Sequence, residues 1–164
     1  MIDKIDYRIL RELQADGRLS WVELGARVNL SPTACQRRVQ ALVDTGVITG
    51  FSARVDPAAL GYEVEAYVAV SVDRQDLESA QRFREAIRRC PEVQTCHMMS
   101  GEVDYLLRVV APDLKSFGRF IEEQILSVPG VKDASSSIVL DPVKSASLDL
   151  PARRDPAGPT PRPH

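Results

Sequence analysis

Apolar residues recur at helical spacing over residues 3–15, at Ile5, Ile9, Leu10 and Leu13, with charges between them and Gly17 closing the run. Residues 19–39 then predict two short helices with independent starts. Ser20 and Glu23 fit a capping box, with Leu19 and Leu24 placed as a hydrophobic staple around it. The next helix starts at Ser31 as N-cap, with Pro32 at the first helical position, where a missing N–H is harmless. Leu30 and Cys35 repeat the staple. Asn29, in the turn between the two helices, is one of the few non-glycine residues that tolerate left-handed backbone. Two helices joined so closely must cross steeply, which is helix-turn-helix geometry. The second of them is expected to end near Thr45 with Gly46 at its cap. Residues 47–55 read as an extended, alternating segment broken at Gly50, the place for a β wing or linking strand.

The rhythm changes after Asp56-Pro57 and Gly61. Residues 62–73 alternate, with Tyr62, Val64, Ala66, Val68, Val70 and Val72 on one face. Residues 75–90 return to helical spacing, with Leu77, Ala80, Phe83, Ile87 and Cys90 on one stripe ended by Pro91. Residues 93–100 and 103–110 predict a hairpin turning at Gly101-Glu102. Leu114, Phe117, Ile121 and Ile125 predict a further helix, stopped by Pro129-Gly130, and 131–140 a last strand. The order β-α-β-β-α-β is the ferredoxin-like arrangement. The chain is therefore expected to be α+β: a winged helix-turn-helix over 1–56, a linker at 57–61 and a ferredoxin-like domain over 62–145. The tail at 146–164, rich in proline and without periodicity, is expected to be disordered. One strand of the hairpin is apolar at both parities, with Val103, Tyr105, Leu107 and Val109 on one side and Leu106 and Val110 on the other. This implies burial on both faces, and a second copy packed on the sheet is the simplest cover.

Charge qualifies this picture. The chain of 164 residues carries a net −2 with a pI near 5.7, distributed as +1 over residues 1–61, −4 over 62–145 and +1 over 146–164. A slightly positive module on an acidic body suits DNA contact confined to one face and helped by assembly. Three irregularly spaced cysteines make no disulfide framework, and no apolar run approaches a membrane span, so a cytoplasmic location is expected. Cys96 and His97 are neighbours on a strand and point to opposite faces, so no metal site is expected there.

Several motifs in order carry a family resemblance: IDYRIL at 5–10, LSPTACQRRV at 30–39, GVITG at 46–50, CHMMSGEVDYLL at 96–107 and LSVPGV at 126–131. Together they resemble the Lrp/AsnC family of bacterial and archaeal regulators over roughly residues 2–145. The resemblance implies dimers that assemble further, and an amino-acid or related effector bound where C-terminal domains of neighbouring dimers meet.

With Cys35, Val39 and Leu42 turned to the core, Thr33, Gln36, Arg37 and Gln40 face outward and Arg38 stands at the edge of that face. Arginine and glutamine there suit guanine and adenine edges, while Ser31, Thr33 and the helix N-terminus suit phosphates. Arg38 has a second reading as a structural ion pair. For a zwitterionic effector, Ser100, Gly101, Glu102, Asp104 and Tyr105 offer N–H groups, hydroxyls and carboxylates, and an ordinary charged turn is the alternative. Asp104 matches the family's acidic position associated with effector response. Glu102 replaces the more usual Asp, and Ser136 stands where the family often has a hydroxyl. Met98 and Met99 are read as core and interface filler.

The function expected is a sequence-specific, effector-responsive transcriptional regulator with no catalytic residues and no cofactor. An architectural DNA-wrapping protein is the alternative. Some tetrapyrrole decarboxylases share the two-domain build, and an enzyme of that kind would have to rely on His97 and Arg108.

Overall fold

The computed structural model describes residues 2–73 and 76–143, and all of Leu77 except its side chain. The expected disordered tail at 146–164 lies outside these residues, as does the Leu77 member of the second domain's first helical stripe. The chain divides into two compact units, one running to Ala53 and the other spanning Arg54–Val143.

The first unit is three helices: α1 (Lys4–Ala15), α2 (Trp21–Val28) and α3 (Pro32–Asp44). Each start is made by the side chain that the pattern named or by an equivalent one. The Asp3 carboxylate accepts from the N–H groups of Ile5 and Asp6, each at 2.8 Å, and Asp6 returns the bond to the Asp3 N–H at 3.0 Å. Ser20 and Glu23 form their reciprocal box, with the Ser20 N–H donating to Glu23 at 2.9 Å. Ser31 caps α3 by accepting from the Ala34 N–H at 3.2 Å. Asn29 takes φ 60°, ψ 49°, which lets the chain leave α2 and enter α3 within three residues. Ile9, Leu24, Val28, Cys35, Val39 and Leu42 form the buried core, with Leu19 and Leu30 packed at its margin.

Gly25 sits inside α2 because the turn's backbone crosses it. A β-carbon there would lie 2.6 Å from the Leu30 carbonyl oxygen. Residues 47–55 form no strand in the described structure. Their alternation is real, but a strand needs a ladder partner, and the described residues supply none. Phe51 and Val55 are consequently exposed. The expected linker is also partly ordered, with Ala58–Leu60 making one 3-10 turn that Gly61 closes at φ 84°.

The second unit is β1 (Val64–Val72), α4 (Leu77–Ile87), β2 (Val93–Met98), β3 (Tyr105–Ala111), α5 (Leu114–Phe120) and β4 (Val131–Ile138). The strands form one antiparallel sheet in the order β2-β3-β1-β4, the ferredoxin-like order. Val64, Ala66, Val68, Val70 and Val72 of β1 meet Phe83 and Ile87 of α4 and Phe117 and Phe120 of α5 in one core.

Two details differ from the pattern. The hairpin turns about Gly101-Glu102 as expected, but through a wider loop than two residues. Pairing ends at Met98 and Tyr105, leaving a loop of residues 99–104 in which the Met99 N–H donates to the Asp104 carbonyl at 2.9 Å. In the last helix Leu114 is exposed and Phe120 is buried instead. The chain continues from α5 as a π-type stretch, Ile121–Leu126. That wider winding keeps Phe120 and Ile125, five residues apart, on the same side.

The opposite sheet face carries Glu65, Tyr67, Ala69 and Ser71 of β1 beside Leu106, Arg108 and Val110 of β3. Arg108 makes a two-pronged ion pair with Glu65 at 2.7 and 3.1 Å, and Tyr67 beside it is 43 % exposed. The Arg108 guanidinium holds the Glu65 carboxyl below the usual carboxylate range.

Candidate functional site

The outer face of α3 is built by elimination. Once Cys35, Val39 and Leu42 are buried, helical geometry leaves Thr33, Gln36, Arg37 and Gln40 on one exposed stripe. These four, with Ala41 and Asp44, line a single open depression. The Gln40 amide donates to Asp44 at 2.8 Å, so its orientation is set before any ligand arrives. Ser31 is occupied as the helix cap, and its hydroxyl faces the Ala34 N–H.

Of the two readings of Arg38, the structure has the ion pair. Its guanidinium bonds Asp3 and Asp6 at 2.7 Å each, and its side chain is only 29 % exposed. The sequence placed Arg38 at the edge of the outward face; the fold turns it inward because the α1 capping box puts two carboxylates within reach. It ties α3 to the start of α1. Two further links hold α2: Arg8 donates to the Arg27 carbonyl at 3.0 Å, and Arg27 pairs with Glu12 at 3.1 Å.

This anchoring has a pH signature. The Asp3 carboxyl is held below its usual range, first by the Asp6 N–H and then by Arg38. Because it is more acidic folded than unfolded, its contribution is full above the unfolded pKa of about 3.9 and is lost as pH falls through the lower, folded value. With Asp3 half exposed, the expected contribution is about 1 kcal/mol or less. Unfolding midpoints read from the Trp21 signal should separate wild type from Asp3→Asn above pH 5, and the gap should close toward pH 2. A gap independent of pH would contradict the assignment.

In the second unit a cleft of about 390 Å³ opens beside the 99–104 loop. Ser100, Gly101, Asp104 and Tyr105 line it, so four of the six residues named from sequence converge. Glu102 does not line it, since the wide loop carries its side chain outward into solvent. Neither does Ser136, which pairs with Val68 on edge strand β4, on the far side of β1 from β3 and its loop.

The sequence reading missed the other wall. Val72 and Asp73 come from the end of β1; Asp76, Ala80 and Arg84 come from α4. Met98 and Met99 also line the cleft and are 72 % and 42 % exposed, so they are not core filler. The signal that could have found the α4 residues is their spacing: Asp76, Ala80 and Arg84 are each four apart.

The groups in the cleft are well held. Asp104 accepts from the Val72 N–H at 2.9 Å while its own N–H donates to the Val70 carbonyl at 3.0 Å, which stitches the loop to β1. Asp76 caps α4 and bonds Ser79 at 2.6 Å and also Arg82. The Ser79 hydroxyl, then the Glu78 N–H and Arg82, keep its carboxyl below the usual range and therefore charged. Tyr105 is buried against Phe83, ring centroids 4.8 Å apart, and its hydroxyl accepts from Arg84 at 2.9 Å. One cleft thus presents a guanidinium, three carboxylates and an apolar lining.

Two profiles match the chain: the AsnC-type helix-turn-helix domain over residues 2–43 and the Lrp/AsnC ligand binding domain over 65–148. The chain belongs to the Lrp/AsnC family. It is 38 % identical to the leucine-responsive regulatory protein of Escherichia coli K12 over 146 residues, 89 % of each chain. Among solved Lrp/AsnC structures, a Neisseria meningitidis transcriptional regulator in complex with L-methionine is 39 % identical. It covers 92 % of this chain and 98 % of its own, with a TM-score of 0.88. The Mycobacterium tuberculosis feast or famine regulatory protein complexed with L-methionine is 31 % identical, covering 92 % and 100 %, with a TM-score of 0.81. The chain is therefore a transcriptional regulator with a DNA-binding helix-turn-helix and an Lrp/AsnC ligand-binding domain. Among the described residues no helix is long and apolar enough to cross a membrane.

Proposed function

We propose that this regulator works as a dimer, reads operator DNA through Thr33, Gln36, Arg37 and Gln40, and changes state when an apolar L-amino acid of the methionine class occupies the cleft beside Ser100, Gly101, Asp104 and Tyr105. It performs no reaction on that ligand and acts in the cytoplasm, where its DNA partner is.

The observation that carries the reading is the chemistry of the cleft. Carboxylates suit an ammonium, the guanidinium and loop N–H groups suit a carboxylate, and two methionine side chains adapt to an unbranched apolar side chain. The L-methionine complexes of two relatives agree with it. Dimerisation through the open sheet face would cover Tyr67 and Leu106 and the Glu65–Arg108 pair. The ligand would then bias the assembly by binding one arrangement better than another.

A thermal-shift screen of the full chain against the twenty amino acids tests this. A ligand at a hundred times its dissociation constant should add about 2.7 kcal/mol of stability. L-methionine or a close apolar relative should give the largest rise. A flat response to all twenty would refute the effector reading.

A further inference from the structure

Each acid in the cleft has a partner of its own: Asp73 pairs with Lys132 at 3.2 Å, Asp76 with Ser79 and Arg82, and Asp104 with the Val72 N–H. Arg84 is different. Among the described residues its polar partners are neutral: the Tyr105 hydroxyl at 2.9 Å from Nε and the Met98 sulfur at 3.5 Å from Nη2. Its Cζ also lies 5.9 Å from the centre of the Tyr105 ring. These contacts fix the plane of the guanidinium without neutralising it, and Nη1 has no partner among the described residues.

A planar cation held in place by neutral groups, in a cleft whose carboxylates each have a partner yet keep acceptor sites for an ammonium, is arranged to receive an anion. Arginine presents parallel N–H donors that match a carboxylate, and holding the fork beforehand reduces the ordering cost when the ligand binds. The apolar lining from Val72, Ala80, Met98 and Met99 would take the rest of the molecule.

We infer that Arg84 is the carboxylate anchor of the effector site and the residue that makes a free carboxylate a requirement for binding. The inference rests on the effector reading above and adds to it a specificity-determining residue on α4, positioned by Tyr105.

The test titrates the full chain calorimetrically with L-methionine and with L-methioninamide, which keeps the ammonium and side chain but lacks the carboxylate. Wild type should prefer the acid by about 10- to 100-fold, the span expected for hydrogen bonds to a charged group. Arg84→Gln should lose that preference by weakening the acid and leaving the amide unchanged. Arg84→Lys should restore part of it. Tyr105→Phe, which keeps the ring and frees the guanidinium, should fall between.

Wild type binding acid and amide equally would overturn the inference whether or not any variant folds. So would an Arg84→Gln protein that keeps the full preference, and in both cases the effector reading would survive. Failure of wild type to bind L-methionine at all would overturn the methionine-class reading and this inference with it.

Discussion

Replacing Gly130 by alanine should destabilise the C-terminal domain by about 2–5 kcal/mol. Two costs add. Gly130 holds φ 95°, where an L-residue pays roughly 1–2 kcal/mol in steric strain. An alanine β-carbon would also overlap Cβ and Oγ of Ser79 and approach its Cα to 3.3 Å, and overpacking of this kind costs about 1–3 kcal/mol. Ser79 cannot yield cheaply. It is 1 % exposed and bonded to Asp76 and Arg82 at the first turn of α4. Nor can Gly130 retreat, because its carbonyl accepts from the Asp73 N–H at 2.7 Å as β4 begins. Pushing α4 away would also displace Asp76, Ala80 and Arg84, so binding of the proposed effector should weaken in the protein that remains folded. Hydrogen exchange at β1 and β4 amides should show the loss. Trp21 fluorescence, reporting the other unit, should change little. Adding Ser79→Gly to Gly130→Ala should recover the packing share and leave the backbone strain. An unfolding midpoint unchanged from wild type would show that the close approach is not real.

The same glycine shows what the sequence could and could not reveal. Pro129-Gly130 marks a stop in any reading, because both residues act locally. That Gly130 must be glycine because of Ser79, fifty-one positions earlier, is a tertiary fact without a local trace. The same division holds elsewhere. Caps at Ser20 and Ser31, the left-handed Asn29 and the alternation of β1 are short-range physics, and the structure has them where the pattern put them. The core stripe of α3 was legible for the same reason, and with it the outward set Thr33, Gln36, Arg37 and Gln40.

Arg38 was ambiguous because one residue's rotation on a helix decides it, and its partners Asp3 and Asp6 lie on another element. The cleft beside the 99–104 loop was half legible. Its loop carries a motif, but Arg84 reaches it only through the packing of α4 on the sheet, and a solvent-facing arginine on an amphipathic helix has no distinguishing signal. The wing failed for a different reason: alternation at 47–55 describes what a strand would bury, and says nothing of whether a partner strand exists.

Arg37→Ala and Arg38→Ala, adjacent and chemically identical substitutions, should have opposite consequences. Arg37 is exposed beside Gln36 and Gln40 and has no ion pair among the described residues, so its fork is available to a guanine edge. Losing one such contact costs about 1–3 kcal/mol of discrimination, and in the dimer proposed above it is lost in both half-sites. Operator affinity should therefore fall by about 2–6 kcal/mol, with folding stability unchanged and binding to random DNA reduced only by the lost charge. Arg38→Ala should do the reverse. It frees Asp3 and Asp6 at the start of α1, lowers the unfolding midpoint of the N-terminal unit, and leaves the ratio of operator to random binding near that of wild type. Titrating both variants with operator and random duplexes at one fixed salt concentration separates the effects, since phosphate contacts carry the salt dependence and base contacts carry the ratio. If Arg37→Ala weakens both duplexes equally, Arg37 is a phosphate contact. If wild type itself prefers operator by less than about tenfold, far below the ~10³ expected of a specific regulator, the helix grips DNA without reading it and the protein wraps rather than selects.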